Sequence, residues 1–195
     1  PLDIKEKGIL KDNDEKKFLI ELNKNIKHKV DIVITIGAVS AGKYDYVPRI
    51  INKFKERGYF KGAKIRPGKP ILFSKIKFGT AFFGLPGNPV STAACFRFFV
   101  LPFIFNSLGY FDDVPIKAKL KNKFEKKKNI TSFIKGKLVI SKKGFSEFKV
   151  LKGQESYKIK PLANSNVWGQ FNNGYSTFKK GDLINCHTTF GVNFF

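Results

Sequence analysis

Gly84-Leu85-Pro86-Gly87-Asn88-Pro89 is the stretch on which the reading of this chain turns. A strand-like apolar run over residues 80–85 enters it, and an apolar, helix-like run over residues 90–108 leaves it. Proline fixes φ and removes an N–H donor, while glycine lets the backbone approach a ligand closely. Arg66-Pro67-Gly68-Lys69-Pro70 has the same character and follows an extended run over residues 60–65. A third loop, Gly37-Ala38-Val39-Ser40-Ala41-Gly42 and on to Asp45, follows the β-branched run Asp31-Ile32-Val33-Ile34-Thr35. Each loop alone is read first as a tight turn. Together they place three stiff loops after strands, where open α/β sheets bind ligands.

Outward from these loops the chain divides at about residue 112. Before it, Phe18, Leu22 and Ile26 recur at helical spacing and predict a helix over residues 13–27. Asp12 is its expected cap, with Glu15 three residues on. The run 31–35 predicts a buried parallel strand, and residues 46–57 a helix after the glycine loop. Residues 71–75 and 80–85 predict two strands around a hairpin turn, and Gly109 ends the helix over 90–108. Beyond residue 112, alternating runs over 116–120, 134–140, 145–151, 166–171 and 183–190 are separated by turns such as Asn173-Gly174 and Lys180-Gly181. That spacing predicts a small all-β sandwich or barrel, with Trp168 in its core. The expected domains are thus residues 1–112 and 113–195. The basic run over 121–128 reads as a solvated strand connection.

The chain has 37 Lys+Arg against 15 Asp+Glu, a formal net charge of +22, which would suit a nucleic-acid surface. Arginine, the better fork for phosphates and base edges, occurs only at Arg49, Arg57, Arg66 and Arg97. The lysines are spread along the chain, so nucleic acid is not the expected partner, whereas a positive field still draws a phosphorylated small ligand. No run approaches the ~20 apolar residues of a membrane span, since Arg97 and Pro102 interrupt the most apolar one. Pro1-Leu2-Asp3-Ile4 does not read as a leader, and Cys95 and Cys186 form no motif. A reducing, cytoplasmic setting is the expectation.

The chemistry-bearing candidates come from the loops. Ser40 offers a hydroxyl donor in a loop that opens a helix, where N–H groups favour a phosphate. Asp45, just ahead of that helix, caps it or holds a divalent cation. Asp12 carries the same two readings. Arg66 and Lys69 flank Pro67-Gly68 and can neutralise a phosphate or an oxyanion such as molybdate. His28 and His187 are isolated and form neither a metal set nor a triad.

These loops, in this order and spacing, closely resemble the molybdopterin molybdotransferase family, which includes the E domain of gephyrin. The resemblance is strong over about residues 8–110. It is looser beyond, where Phe133-Ile134-Lys135-Gly136, Gln154-Glu155-Ser156 and Lys180-Gly181-Asp182 echo the family's C-terminal barrel. It implies a partial three-layer α/β/α molybdopterin-binding domain followed by a small all-β barrel domain. It also implies insertion of molybdate into adenylylated molybdopterin with release of AMP, using magnesium. Residues carried over as catalytic are Asp45, Lys69 and Arg66. Gly37, Ser40, Gly42, Pro67, Gly68, Pro86, Gly87, Asn88 and Pro89 would shape the pterin site, and Asp45 and Asp12 would hold the metal. A molybdopterin-binding or adenylylating relative, or a non-catalytic scaffold module, is the alternative.

Three departures stand out. Ala38 replaces a usual second glycine, Arg66 replaces a usual lysine, and Lys135 replaces a usual arginine. The family's domain normally begins with a further strand and helix. The resemblance therefore implies the C-terminal half of a protein of ~400 residues, homodimeric when complete, a length that fits several domains.

Overall fold

Phe82 and Phe83 lie side by side in the central strand and face opposite ways, and the first half of the molecule is layered about them. The computed structural model describes residues 2–11, 14–39, 45–110, 113–142 and 144–189. Four strands form the first sheet: β1 (Ile32–Ile36), β2 (Lys55–Lys61), β4 (Leu72–Ile76) and β5 (Ala81–Leu85), in the order β1-β5-β4-β2. β1 and β5 are parallel, whereas β5–β4 and β4–β2 are antiparallel. Helices α1 (Glu15–Lys27) and α2 (Val47–Phe54) cover one face, where Phe18, Leu22, Ile26, Ile50 and Ile51 pack with Leu72, Ile76 and Phe82. The long helix covers the other, through Val90, Ala94, Cys95 and Val100 against Ala81, Phe83 and Leu85. This is a three-layer α/β/α arrangement, with core side chains alternating between the two faces of each strand.

The long helix begins as α3 (Pro89–Cys95), passes through a π-helical turn (Phe96–Val100) and continues as α4 (Leu101–Ser107). By length and composition, residues Pro89–Ser107 would suffice to cross a membrane. Here the helix serves as one layer of the domain. Gly109 comes after it with φ of 84°, the left-handed conformation that ends helices.

The second half is a closed barrel. β6 (Ile116–Leu120), β8 (Thr131–Ile140), β9 (Ser146–Val150), β10 (Val167–Phe171) and β12 (Leu183–Thr188) pair in a ring that closes through β10–β8. Phe148 fills the interior and two glycines admit it. A Cβ on Gly136 would lie 2.1 Å from the Phe148 ring, and one on Gly169 2.5 Å from it. A short ribbon of β7 (Phe124–Glu125) and β11 (Thr177–Phe178) and a five-residue helix, α5 (Ile159–Ala163), complete this half.

Several expectations are corrected. The helix expected over 46–57 stops at Phe54, and the chain turns directly into β2. The segment 60–65 is not one strand: its end continues into β3 (Ile65–Arg66), which leaves the first sheet and pairs with β8 of the barrel. β1 is parallel as expected but lies at the sheet edge, so Ile36 is 66% exposed. Glu15 does not complete a capping box: its carboxylate bonds Arg49 at 2.6 Å, while the helix N-cap is Asp14, without a side-chain bond. Lys126, inside the run read as solvated, has its ammonium on three carbonyls, those of Lys127, Ile130 and Tyr175. Trp168 is not in the barrel core. It points outward from β10 into the core of the α/β half, beside Ile65, Leu85, Val90 and Cys95.

Gly37 and Ala38, after β1, have φ of 91° and 53°. The alanine methyl at positive φ stores strain that glycine avoids. Ala38→Gly is expected to raise unfolding stability by roughly 1 kcal/mol, read from denaturant titration. Gly169→Ala is expected to lower it by about 2–3 kcal/mol through overpacking against Phe148. The same titration checks this against the unsubstituted chain.

Candidate ligand-binding site

Three loops arrive at one rim of the four-stranded sheet. Because β1 and β5 are parallel and Ile36 pairs with Leu85, both strands end at the same edge. The next residues, Gly37 and Pro86, begin two loops that touch. Gly37 N–H donates to the Leu85 carbonyl at 2.8 Å, and a Cβ on Gly87 would lie 3.4 Å from Gly37 Cα. β4 runs the other way, with Leu72 opposite Gly84, so the turn ahead of β4 enters at that same rim. That turn is Pro67-Gly68-Lys69-Pro70. Its carbonyls at Gly68 and Lys69 accept from the N–H groups of Ile71 and Ala63, at 3.2 and 2.9 Å.

Close packing locks the loops together. A Cβ on Gly84 would lie 2.7 Å from Val39 Cγ1, so only glycine lets the first loop fold over β5. Gly68, at φ of 102°, is wedged against α3, where a Cβ would lie 2.5 Å from Cys95 Sγ. The Cys95 thiol donates to Gly68 O at 3.4 Å. Burial pushes its pKa up to about 12, so it stays a thiol and packs rather than reacts. The Thr92 hydroxyl lies 2.5 Å from Pro86 O and 3.0 Å from Asn88 O, tying the third loop to the helix it opens.

The rim gathers Gly37, Pro67, Gly68, Pro86, Gly87, Asn88 and Pro89, with Arg66 and Lys69 on the flanking turn. Arg66, Lys69, Gly87 and Pro89 are exposed, Pro67, Gly68 and Pro86 buried. Asn88 is the N-cap of α3 by backbone but makes no capping bond. Among the described residues its side-chain oxygen is buried without a hydrogen-bond partner. An acceptor in that state costs about 1–3 kcal/mol, which a ligand N–H would recover. The Gly37 N–H, by contrast, is committed to the sheet and is not among the free donors expected of its loop. Asp45 is half-buried just ahead of α2 and engaged with the protein. Ser40, Gly42 and Asp12 lie outside the described residues. Among the described residues no three His, Cys, Asp or Glu side chains gather to hold a metal.

The barrel reaches the site in a way that periodicity does not reveal. β3 pairs in parallel with β8, Arg66 opposite Ser132, so the strand entering the Pro67 turn is held by the barrel. Lys135, three residues further along β8, is 1% exposed. Its ammonium donates to the carbonyls of Glu155 and Lys158, at 3.1 and 3.2 Å. Gln154 clasps the Lys135 backbone from both sides, at 3.0 and 2.8 Å. Burial lowers the Lys135 pKa and the Glu155 carboxylate opposes that shift. This lysine therefore braces the 154–158 loop. The clue in the sequence is a lysine between Ile134 and Gly136 in an apolar strand.

Residues 1–106 match the family described as "Probable molybdopterin binding domain". The chain is 28% identical over 172 residues to molybdopterin molybdenumtransferase of Synechocystis, covering 88% of this chain and 42% of that protein. It is 32% identical over 173 residues to molybdopterin molybdenumtransferase of Staphylococcus aureus strain COL, covering 87% and 41%. The chain thus spans about two fifths of the length of these relatives. The crystal structure of a molybdopterin biosynthesis MoeA protein from Pyrococcus horikosii superposes with a TM-score of 0.67 at 25% identity, over 92% of this chain and 41% of that one. A molybdenum cofactor biosynthesis protein from Pyrococcus furiosus shares the fold, with a TM-score of 0.67 at 20% identity over 92% and 56%. With its three-loop rim, its α/β/α layers and a match across more than half its length, the chain belongs to the probable molybdopterin binding domain family of molybdenum cofactor biosynthesis proteins.

Proposed function

We propose that this chain serves molybdate insertion into adenylylated molybdopterin with release of AMP. The observation that supports this most is the meeting of the described parts of three loops at one sheet rim, with two cations on the flanking turn. The substrates are a pterin, phosphates and an oxyanion. Asn88 offers an acceptor, matched to an N–H of the pterin ring. Arg66 and Lys69 offer charge to the phosphate or molybdate oxygens. The protein then acts by holding and neutralising its substrates rather than through a covalent nucleophile. The buried, protonated thiol of Cys95 is consistent with that division of labour.

A divalent cation, with magnesium as the expected ion, belongs to the same proposal only through Asp45. The described residues do not form a cage for it. A cytoplasmic protein, homodimeric at full length, completes the proposal. The pair of free, buried cysteines, Cys95 and Cys186, supports its reducing compartment, and the homodimer rests on the family resemblance alone.

Calorimetric titration of the 195-residue chain with adenylylated molybdopterin checks the proposal. Lys69→Ala and Arg66→Ala each weaken binding about tenfold, the size of one lost charge-assisted contact. Binding falls as salt rises, and duplex DNA does not compete. Unaltered affinity in both variants would remove the flanking turn from the site. Asp45→Ala is expected to abolish the dependence of affinity on added magnesium, and a dependence equal to that of the unsubstituted chain would remove Asp45 from the metal role.

A further inference from the structure

We propose that Arg97 is a positioning residue for this site: its guanidinium clamps the barrel to the long helix and so holds the β3 strand and the Pro67-Gly68-Lys69 turn in register with the other two loops. The functional consequence rests on the proposed function, whereas the clamp itself does not.

Arg97 is 1% exposed, in a helix whose neighbours are aromatic and aliphatic. Its two terminal nitrogens bond both oxygens of Asp113, at 2.6 and 2.9 Å, and its Nε bonds the Thr188 carbonyl at 2.9 Å. Asp113 precedes β6 and Thr188 ends β12, so both partners are borne by the barrel. A buried guanidinium needs this full set of partners, because removing one leaves an uncompensated charge. Planar, two-pronged pairing with a carboxylate is a geometry that lysine cannot reproduce.

The π-helical turn aims Arg97 at these partners. α3 turns Val90, Ala94 and Cys95 to the sheet, and the wider turn over Phe96–Val100 then presents Arg97 to the barrel. Such turns recur where a helix redirects a side chain for a task. Phe98 extends the contact. It stacks on Phe133 at 3.7 Å and 14°, meets His187 edge-on at 5.2 Å, and lies 5.3 Å from the guanidinium carbon of Arg97. Phe133 adjoins Ser132, the strand partner of Arg66.

The turn that carries Lys69 is thus held at both ends by different bodies. At its start, β3 has β8 of the barrel as its sheet neighbour; at its end, β4 belongs to the first sheet. Gly68, between them, sits on Cys95 of α3, two residues before Arg97. A shift of the barrel against the helix therefore bears on this turn. Arg97 opposes that shift.

The test compares Arg97→Met, Arg97→Lys and Asp113→Asn with the unsubstituted chain by amide hydrogen exchange. The probes are the amides of Thr131, Ala63 and Ile71, which bond Lys64 O, Lys69 O and Gly68 O; the amides of Gly37 and Ala81 are the controls. In Arg97→Met the three probes are expected to exchange about tenfold faster with the controls unmoved, a local opening of about 1.4 kcal/mol. Arg97→Lys restores part of the protection. Binding supplies the second readout. Lys69→Ala, expected to cost about tenfold in the unsubstituted chain, is expected to cost less than about twofold on top of Arg97→Met. Equal exchange at probes and controls, or losses that simply multiply, would overturn the proposal. Should Arg97→Met fail to fold, Asp113→Asn and the double replacement Arg97→Met with Asp113→Leu carry the same comparisons. If the unsubstituted chain does not bind adenylylated molybdopterin, the proposed function falls while the exchange result still decides the clamp.

Discussion

The ladder along β5 is the constraint on which the rest depends. One side of this strand pairs in parallel with β1 and the other antiparallel with β4, and all five of its residues are buried. Its register assigns Phe82 to the layer under α1 and α2 and Phe83 to the layer under the long helix. A slip of one residue would exchange these faces. It would also separate Leu85 from Ile36 and Gly84 from Leu72. The same hydrogen bonds therefore sort the core and bring three loops to one edge. Fold and site are not separable features here.

That ladder imposes a need for small residues where loops cross. Gly84 admits Val39, Gly68 admits the sulfur of Cys95, and Gly87 stands against Gly37. Among the described residues each loop leans on the next, so this part of the rim is closely packed without a ligand. Such packing is what the proposed function calls for, because donors and charges already in place would not need to reorganise. The barrel adds to the packing from outside, with Phe133, Leu162 and Trp168 completing the hydrophobic cluster of the α/β half.

Much of this is legible in the residues. The β-branched run at 31–35, the alternation beyond residue 112 and the two proline–glycine loops depend on local spacing, which a sequence displays directly. Strand order and the joining of halves depend on contacts across long separations, which it does not. Nothing near Ile65-Arg66 announces that these two residues pair with Thr131 and Ser132. Trp168 alternates correctly for a barrel strand, yet pattern alone does not say which side faces a second domain. Helix α5 escapes a reading by pattern because five residues give too little periodicity. Lys126 reads as plain charge and Lys135 as a stand-in for a usual arginine, when each has its ammonium on main-chain carbonyls. Arg97 looks like an interruption of an apolar helix, and its partners lie 16 and 91 positions away.

Trp168 has a use beyond packing. It is the single tryptophan of the chain, fully shielded from water, with its indole N–H 3.3 Å from the Thr189 carbonyl. Its environment is built jointly by the helix layer and the barrel wall. Ultraviolet emission from this protein therefore has one indole source, located where the two halves adjoin. Their separation would wet that ring and shift its colour to the red, giving the molecule a built-in optical gauge of how its halves are joined.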